Sequence, residues 1–403
     1  MSGIYVHIPF CKQACSYCDF YFVTKSDQKE NFVQALIAEI AALEGQVFTE
    51  EVVRSVYFGG GTPSLLSPDQ LGRIISELER VFRLELDELT IEMNPDNVTP
   101  YYLKSLKACG FDRISMGVQS FSKKSLNFMN RAHDRTQALQ ALEDIVTSSF
   151  ENYTVDLIYG QPDQTSAELQ EDIDQLMMFN PPHISAYALT IEHNTRLAKQ
   201  VELGRVKPAD DDEVADQMDL LAKILGNYGF NRYEVNSFAK ERFQAKHNQI
   251  YWTHGNYLGL GPGSHSFWWP KTPVEKEGLM GYDIGFFRGL STEQATALRW
   301  SNPKDLMGYI HKKNEYQKSI YTLVESISEL SLAEEYIWLG LRTSRGFDRN
   351  ILAERYNYKC DAKQQKRLES LVKDGKIRQS GESFSLTREG VRIADYIALD
   401  LLS

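Results

Sequence analysis

Three cysteines fall within eight residues, Cys11-Lys-Gln-Ala-Cys15-Ser-Tyr-Cys18. A loop with spacings of four and three positions can wrap three thiolates around the corners of a four-iron cluster, and three thiolates leave one iron open. An open iron is of little use for simple electron transfer, but it is what a chelating amino acid needs. Structural zinc is the alternative; it requires four closed ligands, and His7 could be the fourth. The other two of the five cysteines, Cys109 and Cys360, stand far away, and this clustering favours metal ligation over a disulfide framework.

Further polar residues recur at the ends of short apolar runs with β character, at 4–8, 53–58, 89–93, 113–118, 154–159 and 184–189. In chain order these ends carry the cysteine loop, Gly59-Gly60-Gly61-Thr62-Pro63, Glu92-Met93-Asn94-Pro95, Gly117-Val118-Gln119-Ser120, Asp156 and Tyr187. Between the runs lie helical patterns, with Phe32, Val33, Leu36, Ile37 and Ile40 on one face and Leu71, Ile74, Ile75, Leu78 and Val81 on another. Ser67 to Gln70 and Thr165 to Glu168 read as capping boxes, and Thr99-Pro100 puts proline at a favoured first helical position. Six strand–helix alternations predict an α/β fold with a parallel sheet. Chemistry at the same end of every strand points to a partial (βα)6 barrel, since a doubly wound sheet would gather it at one switch point.

Beyond residue 210 a long helical stretch leads to the motif His247 to Trp252 and a glycine-rich segment at 258–265, both assigned to the main domain. Residues 300–330 read as helical linkage. Helices over 334–341, 349–356 and 363–373, followed by a small hairpin over 375–379 and 383–386, predict a winged-helix-like appendix. The expected division is a core domain over 1–295 and a C-terminal helical, winged-helix-like domain over 296–403. The 403 residues are 42% hydrophobic and 25% charged, as in an ordinary globular protein. A net charge of −11 disfavours nucleic-acid backbones and anionic membranes as main partners, although peripheral membrane contact is left open. With no signal-peptide pattern or long apolar run, the expected location is cytoplasmic.

The cysteine motif, with Tyr5-Val-His-Ile-Pro-Phe before it, Gly-Gly-Gly-Thr-Pro, Gly-Val-Gln-Ser-Phe and the winged appendix, resembles the radical S-adenosylmethionine (SAM) superfamily. Within it, the chain resembles the coproporphyrinogen III oxidase-like branch over nearly its whole length. The resemblance implies a [4Fe-4S] cluster on Cys11, Cys15 and Cys18, with SAM on its open iron. It further implies that Gly60, Gly61 and Thr62 hold the SAM amino group and Arg131 its carboxylate, while Tyr5, Tyr17, Glu92, Gln119 and Asp156 line the pocket. Physical chemistry agrees: a glycine turn admits close backbone approach, a guanidinium pairs with a carboxylate, and carboxylates suit ribose hydroxyls.

The branch holds decarboxylating oxidases and heme chaperones. The oxidases carry an additional cysteine two places after the third, where this chain has Phe20, and a longer segment before the cluster, where only ten residues precede Cys11. The chaperone motif His-Asn-x-x-Tyr-Trp is matched by His247-Asn-Gln-Ile-Tyr-Trp252. The resemblance therefore implies a heme-binding chaperone that delivers heme to acceptor proteins, with an electron donor involved if SAM is cleaved. The alternative is an oxygen-independent coproporphyrinogen III oxidase; a nucleic-acid-modifying radical enzyme is discouraged by the acidic balance. His247 is the candidate heme ligand, with Tyr251 and Trp252 as flat surface against the porphyrin. His254 and His265 compete for that role, and the same motif is compatible with an ordered segment in which Trp252 fills core.

Overall fold

The computed structural model describes residues 2–270, 296–311 and 323–403. Six strands pair in parallel in chain order: β1 (Ser2–Ile8), β2 (Val52–Gly60), β3 (Arg83–Met93), β4 (Arg113–Gln119), β5 (Asn152–Tyr159) and β6 (His183–Ala188). Sequential order without reversal is that of a barrel. Beyond β6 the sheet adds the antiparallel strands β7 (Asn231–Arg232) and β8 (Ser237–Ala239), in the order β6-β8-β7. Beyond β1 it adds β9 (Asn256–Leu260), parallel to β1, then the antiparallel strands β10 (His265–Trp268), β11 (Ala297–Ser301) and β12 (Leu323–Ile327). The barrel is thus partial, as expected.

Helices cover the outer face. The outward row of β1, Ile4, Val6 and Ile8, is buried in one core with Phe32, Leu36 and Ile40 of the helix Lys29–Ala42. Both capping boxes form: Ser67 accepts from the Gln70 amide and Thr165 from the Glu168 amide, while each partner side chain returns to the cap backbone. Thr99 caps its helix through the Tyr102 amide, with Pro100 in the first turn.

The inward row is polar on every strand, with Ser55, Glu88, Thr90, Arg113, Ser115, Thr154, His183 and Ser185 all buried. At the amino ends of the strands a short helix, Lys246–Trp252, plugs the barrel. Its first amides are satisfied by Glu88 of β3, whose oxygens accept from Lys246 N at 2.8 Å and His247 N at 3.1 Å. An anion there also complements the positive helix end. Arg113 Nε lies 3.8 Å from the same carboxylate.

Near the C-terminus the helices Glu329–Leu341, Arg349–Tyr356 and Ala362–Lys373 surround a second core with the strands β13 (Phe347–Asp348), β14 (Ile377–Ser380) and β15 (Ser383–Leu386), ordered β13-β15-β14. Helix, strand, two helices and a hairpin is the winged-helix order. The reading of 300–330 as helical linkage is corrected: β11 and β12 extend the large sheet on either side of the helix Leu306–His311, and 312–322 lie outside the described residues. Alternate residues of β11 enter different cores, Leu298 and Trp300 that of the barrel and Ala297 that of the C-terminal helices, so both faces of the strand are covered.

Replacing Glu88 by Ala strands two plug-helix amides and the Arg113 guanidinium in the interior. The expected loss is about 3–5 kcal/mol of unfolding free energy, measured by chemical denaturation; wild-type stability in the variant would remove Glu88 as the anchor of the plug.

Candidate cluster and cofactor site

At the carboxyl ends of the strands, the loop after β1 is tied at both sides. Cys11 N donates to Val23 O at 2.9 Å, Val23 N to Pro9 O at 2.7 Å, and Ser16 N to Met129 O at 3.0 Å. The glycine loop after β2 lies against it, Gly61 N donating to Ile8 O at 2.8 Å and Thr62 N to Phe10 O at 2.7 Å. A Cβ on Gly61 would stand 2.7 Å from Phe10 O, and Gly60 has φ of +107°, so the loop can be built only with glycine at these two places.

These loops and the other strand ends enclose a cavity of about 540 Å³, whose walls include Cys11, Cys15, Cys18, Tyr17, Gly60, Gly61, Thr62, Glu92, Gln119, Arg131 and Asp156. Eleven of the thirteen residues expected at the cluster and cofactor sites or as heme ligand line this one cavity; Tyr5 and His247 stand elsewhere. Thr62 Oγ1 lies 3.7 Å from Cys11 Sγ, and Arg131 Nη1 donates to Cys15 Sγ at 3.3 Å. Burial pushes the Cys11 thiol up to about 11 and that of Cys18 up to about 12, with the neighbouring thiols adding to both. Three thiolates can coexist here only around a compensating cation. Among the described residues no three His, Cys, Asp or Glu side chains converge closely enough for a single metal ion. His7, the fourth ligand of the zinc alternative, instead uses Nε2 on Tyr21 O at 2.8 Å. A cluster, which spreads its ligands over separate corners, suits this donor set better than zinc.

The cavity wall holds polar atoms with no protein partner: Gln119 Oε1, Asp156 Oδ1 and Arg131 Nε. Buried polar atoms without partners are costly, and their convergence suits a polar ligand. Arg131 spends its other donors on Asn94 Oδ1 at 2.7 Å, Gly117 O at 2.8 Å, Cys15 and Tyr17. Gln119 is held at φ of +68°, an uncommon conformation for a residue with a side chain. Glu92 accepts from Tyr57 OH at 2.8 Å and Gly60 N at 3.1 Å. Burial, with the Asp156 charge adding to it, raises the Glu92 carboxyl to about 7, and burial raises Asp156 to about 6.

Two expected residues lie elsewhere. Tyr5 sits one layer beneath the cavity, its ring stacked on Tyr57 at 6.0 Å and its hydroxyl 3.5 Å from His7. His247, the candidate heme ligand, is turned by the plug helix into the barrel, where it is 1% exposed. Nδ1 lies 2.9 Å from Ser55 Oγ and Nε2 2.8 Å from Tyr251 OH, so both ring nitrogens are engaged. His254 is likewise bonded, to Tyr356 and Glu335. Asn94, which orients Arg131, was missed as a site residue; its place two positions beyond Glu92, on the same face of the chain, was the available signal.

An open-barrel fold with a three-cysteine loop, a glycine loop and unsatisfied polar walls at one end defines a radical SAM protein. Residues 5–176 match the family model of the Radical SAM superfamily and 327–393 that of the HemN C-terminal domain. The chain is 32% identical over 363 residues to a heme chaperone HemW of Lactococcus lactis, covering 89% of this chain and 86% of that one. It is 28% identical over 394 residues to a heme chaperone HemW of Bacillus subtilis, covering 97% and 96%. The solved structure of coproporphyrinogen III oxidase (HemN) from Escherichia coli superposes with a TM-score of 0.79 at 21% identity, over 99% of this chain and 89% of that one, a likeness of fold. The chain belongs to the heme chaperone HemW family of radical SAM proteins. No helix among the described residues is long and apolar enough to cross a membrane.

The raised carboxyls set a pH dependence. As pH rises from about 4 to about 7 the unfolded chain loses the Glu92 and Asp156 protons before the folded one does, so their contribution to stability is present at low pH and is lost with rising pH. Thermal unfolding of metal-free protein between those limits is expected to show a less negative slope of Tm against pH in Glu92→Gln than in wild type. Identical slopes would show that Glu92 is ionised in the fold.

Proposed function

We propose that the protein is a heme-binding chaperone that delivers heme to acceptor proteins and holds a [4Fe-4S] cluster on Cys11, Cys15 and Cys18 with SAM beside it. The observation that carries the chaperone reading is similarity along most of the chain to proteins named heme chaperone HemW. The cluster assignment is supported by three free cysteines on one cavity wall and by the demand of their buried thiols for positive charge. Gly60, Gly61 and Thr62 offer backbone and hydroxyl groups to the SAM amino group, Arg131 retains Nε for the carboxylate, and Gln119, Asp156 and Glu92 face the remaining polar atoms. Tyr17 forms part of the same wall, and Tyr5 supports it from beneath through Tyr57. The donation from Arg131 to Cys15 Sγ would tune the cluster's potential. A reduced cluster would supply the electron that cleavage of SAM requires, and an external donor would have to reduce the cluster. We also propose a division of the chain into a core and a C-terminal domain; β11 and β12 extend the core's sheet, which supports a boundary after β12 in place of the one expected at 295/296.

The second reading, a coproporphyrinogen III oxidase, draws on the fold likeness to HemN. Against it, the position of the additional cysteine is Phe20, 65% exposed at the cavity wall.

Anaerobic reconstitution with iron and sulfide, followed by separate assays of heme binding and coproporphyrinogen III decarboxylation, tests the proposal. Wild type is expected to turn brown, to bind heme and to leave coproporphyrinogen unchanged. Ala at Cys11, Cys15 or Cys18 should abolish the chromophore, while Ala at Cys109 or Cys360 should not. Formation of protoporphyrinogen with SAM and reductant would establish the oxidase instead.

Arg131→Ala should weaken SAM binding by about 1.5–3 kcal/mol, the value of a hydrogen bond to a charged group, with the cluster retained. Calorimetry on cluster-loaded protein reads this directly, and an unchanged affinity would detach Arg131 from the SAM site.

A further inference from the structure

The turn after β4 holds Gln119 in a conformation that a residue with a side chain disfavours. Ser120 N donates back to Val118 O at 2.9 Å around Gln119 at φ of +68°, the arrangement of the γ-turn form that is rare and strained. The pairing of β4 with β5 skips Val118, and a bulge of this kind re-aims the side chain beside it. Gln119 is thereby turned onto the cavity wall, where its Oε1 has no protein partner. Gly117, two places before, leaves the room this needs, since a Cβ there would stand 2.8 Å from Gln119 Nε2.

Strain of this kind persists only where the surroundings over-determine it, and two groups behind the turn do so. His133 Nε2 lies 3.0 Å from Val118 O; burial, with the Arg131 charge adding to it, lowers this imidazole to about 4, so the ring is neutral and donates through Nε2. Asp172, from the helix Ser166–Met177, brings both carboxylate oxygens to the turn. Ser120 Oγ donates to Oδ2 at 2.6 Å and Phe121 N to Oδ1 at 2.8 Å, and Ser120 Oγ in turn accepts from Ser122 N at 3.0 Å. Both Asp172 and Ser120 are buried, and Asp172 lies outside the cavity wall. Among the described residues it makes no ion pair, so a carboxylate has been taken out of water to serve these two donors. We propose that Asp172 is a positioning residue of the SAM site: without reaching the ligand, it locks the turn that presents Gln119, through Ser120 and Phe121. This inference rests on the assignment of the cavity to SAM and adds a residue outside that cavity. Releasing the lock lets Gln119 return to negative φ and withdraws its amide from the wall.

The test measures SAM affinity by calorimetry on the cluster-loaded full-length protein, beside Tm of the cluster-free chain. Asp172→Ala and Ser120→Ala should each weaken SAM by about tenfold, the loss of one hydrogen bond. Asp172→Asn, whose oxygen still accepts from Phe121 N while its amide reaches Ser120 Oγ, should recover most of that loss. Gln119→Ala should also weaken SAM by about tenfold, and adding Ser120→Ala or Asp172→Ala to it should weaken SAM no further, because the lock acts through Gln119. Gln119→Gly separates site from scaffold: glycine accepts the positive φ, so Tm is held or raised while SAM binding falls by about tenfold. Ser120→Ala removes a single hydroxyl and keeps the test decisive should Asp172→Ala fail to fold. A loss of about a hundredfold in the double variants, the product of independent effects, would overturn the positioning role, as would wild-type SAM affinity in Ser120→Ala. Failure of the wild type to bind SAM would defeat the assignment of the cavity and this inference with it, an outcome distinct from the other two.

Discussion

A parallel strand turns alternate side chains to opposite faces, and here the inner row is polar along all six strands of the barrel. A barrel of this kind usually fills itself with branched aliphatic side chains, so every inner polar group needs a partner. At the amino ends many of the partners are internal: Glu88 takes the amides of the plug helix and faces Arg113, His247 lies between Ser55 and Tyr251, and His183 lies between Thr154 and Tyr233, while Thr90 Oγ1 and Arg113 Nε make no hydrogen bond. At the carboxyl ends Gln119 Oε1, Asp156 Oδ1 and Arg131 Nε have no protein partner, and their residues line one cavity. The site lies where unpartnered polar side chains share a cavity, and the plug closes the opposite end.

Much of this was legible in the sequence because the signals were local. The cysteine spacing, the two capping boxes and the polar strand ends depend on near neighbours, and each appears in the structure at its expected place. Which way the helix around His247 faces could not be read locally. His247 and Trp252 lie on opposite faces of a two-turn helix, and the choice of which enters the barrel is made by Glu88 and Ser55, 159 and 192 residues away. Tyr5 lies a single layer from the cavity: its strand is where the sequence puts it, but it stands below Gly59 and Glu92, at a height that only the register of β1 against β2 fixes. Strands β11 and β12 were missed because they pair antiparallel with each other, and β11 with β10, at the far edge of the sheet, outside the strand–helix repeat that revealed the first six.

The plug helix is also the mechanical link between the two ends of the chain. Its C-terminal carbonyls are held by Arg355, His254 bridges Tyr356 and Glu335, and the Trp269 indole donates to His254 O. Seven residues thus contact the barrel through one face and the C-terminal helices through their last turn. A displacement of the C-terminal helices would be transmitted to the polar floor of the barrel through this helix.

The loop that carries the cysteines is fastened to Val23, Met129 and the glycine loop by backbone bonds, and to residues 128–130 also through the side chains of Gln13, Ser16 and Asn130. Small zinc domains stand in contrast, since their chains acquire order from the metal itself. Here the conformational cost of gathering the three thiols is borne by the fold. Filling or emptying the three thiols would leave these backbone ties in place, so the inorganic group would be an insertion into a prepared seat and not the scaffold of the chain around it.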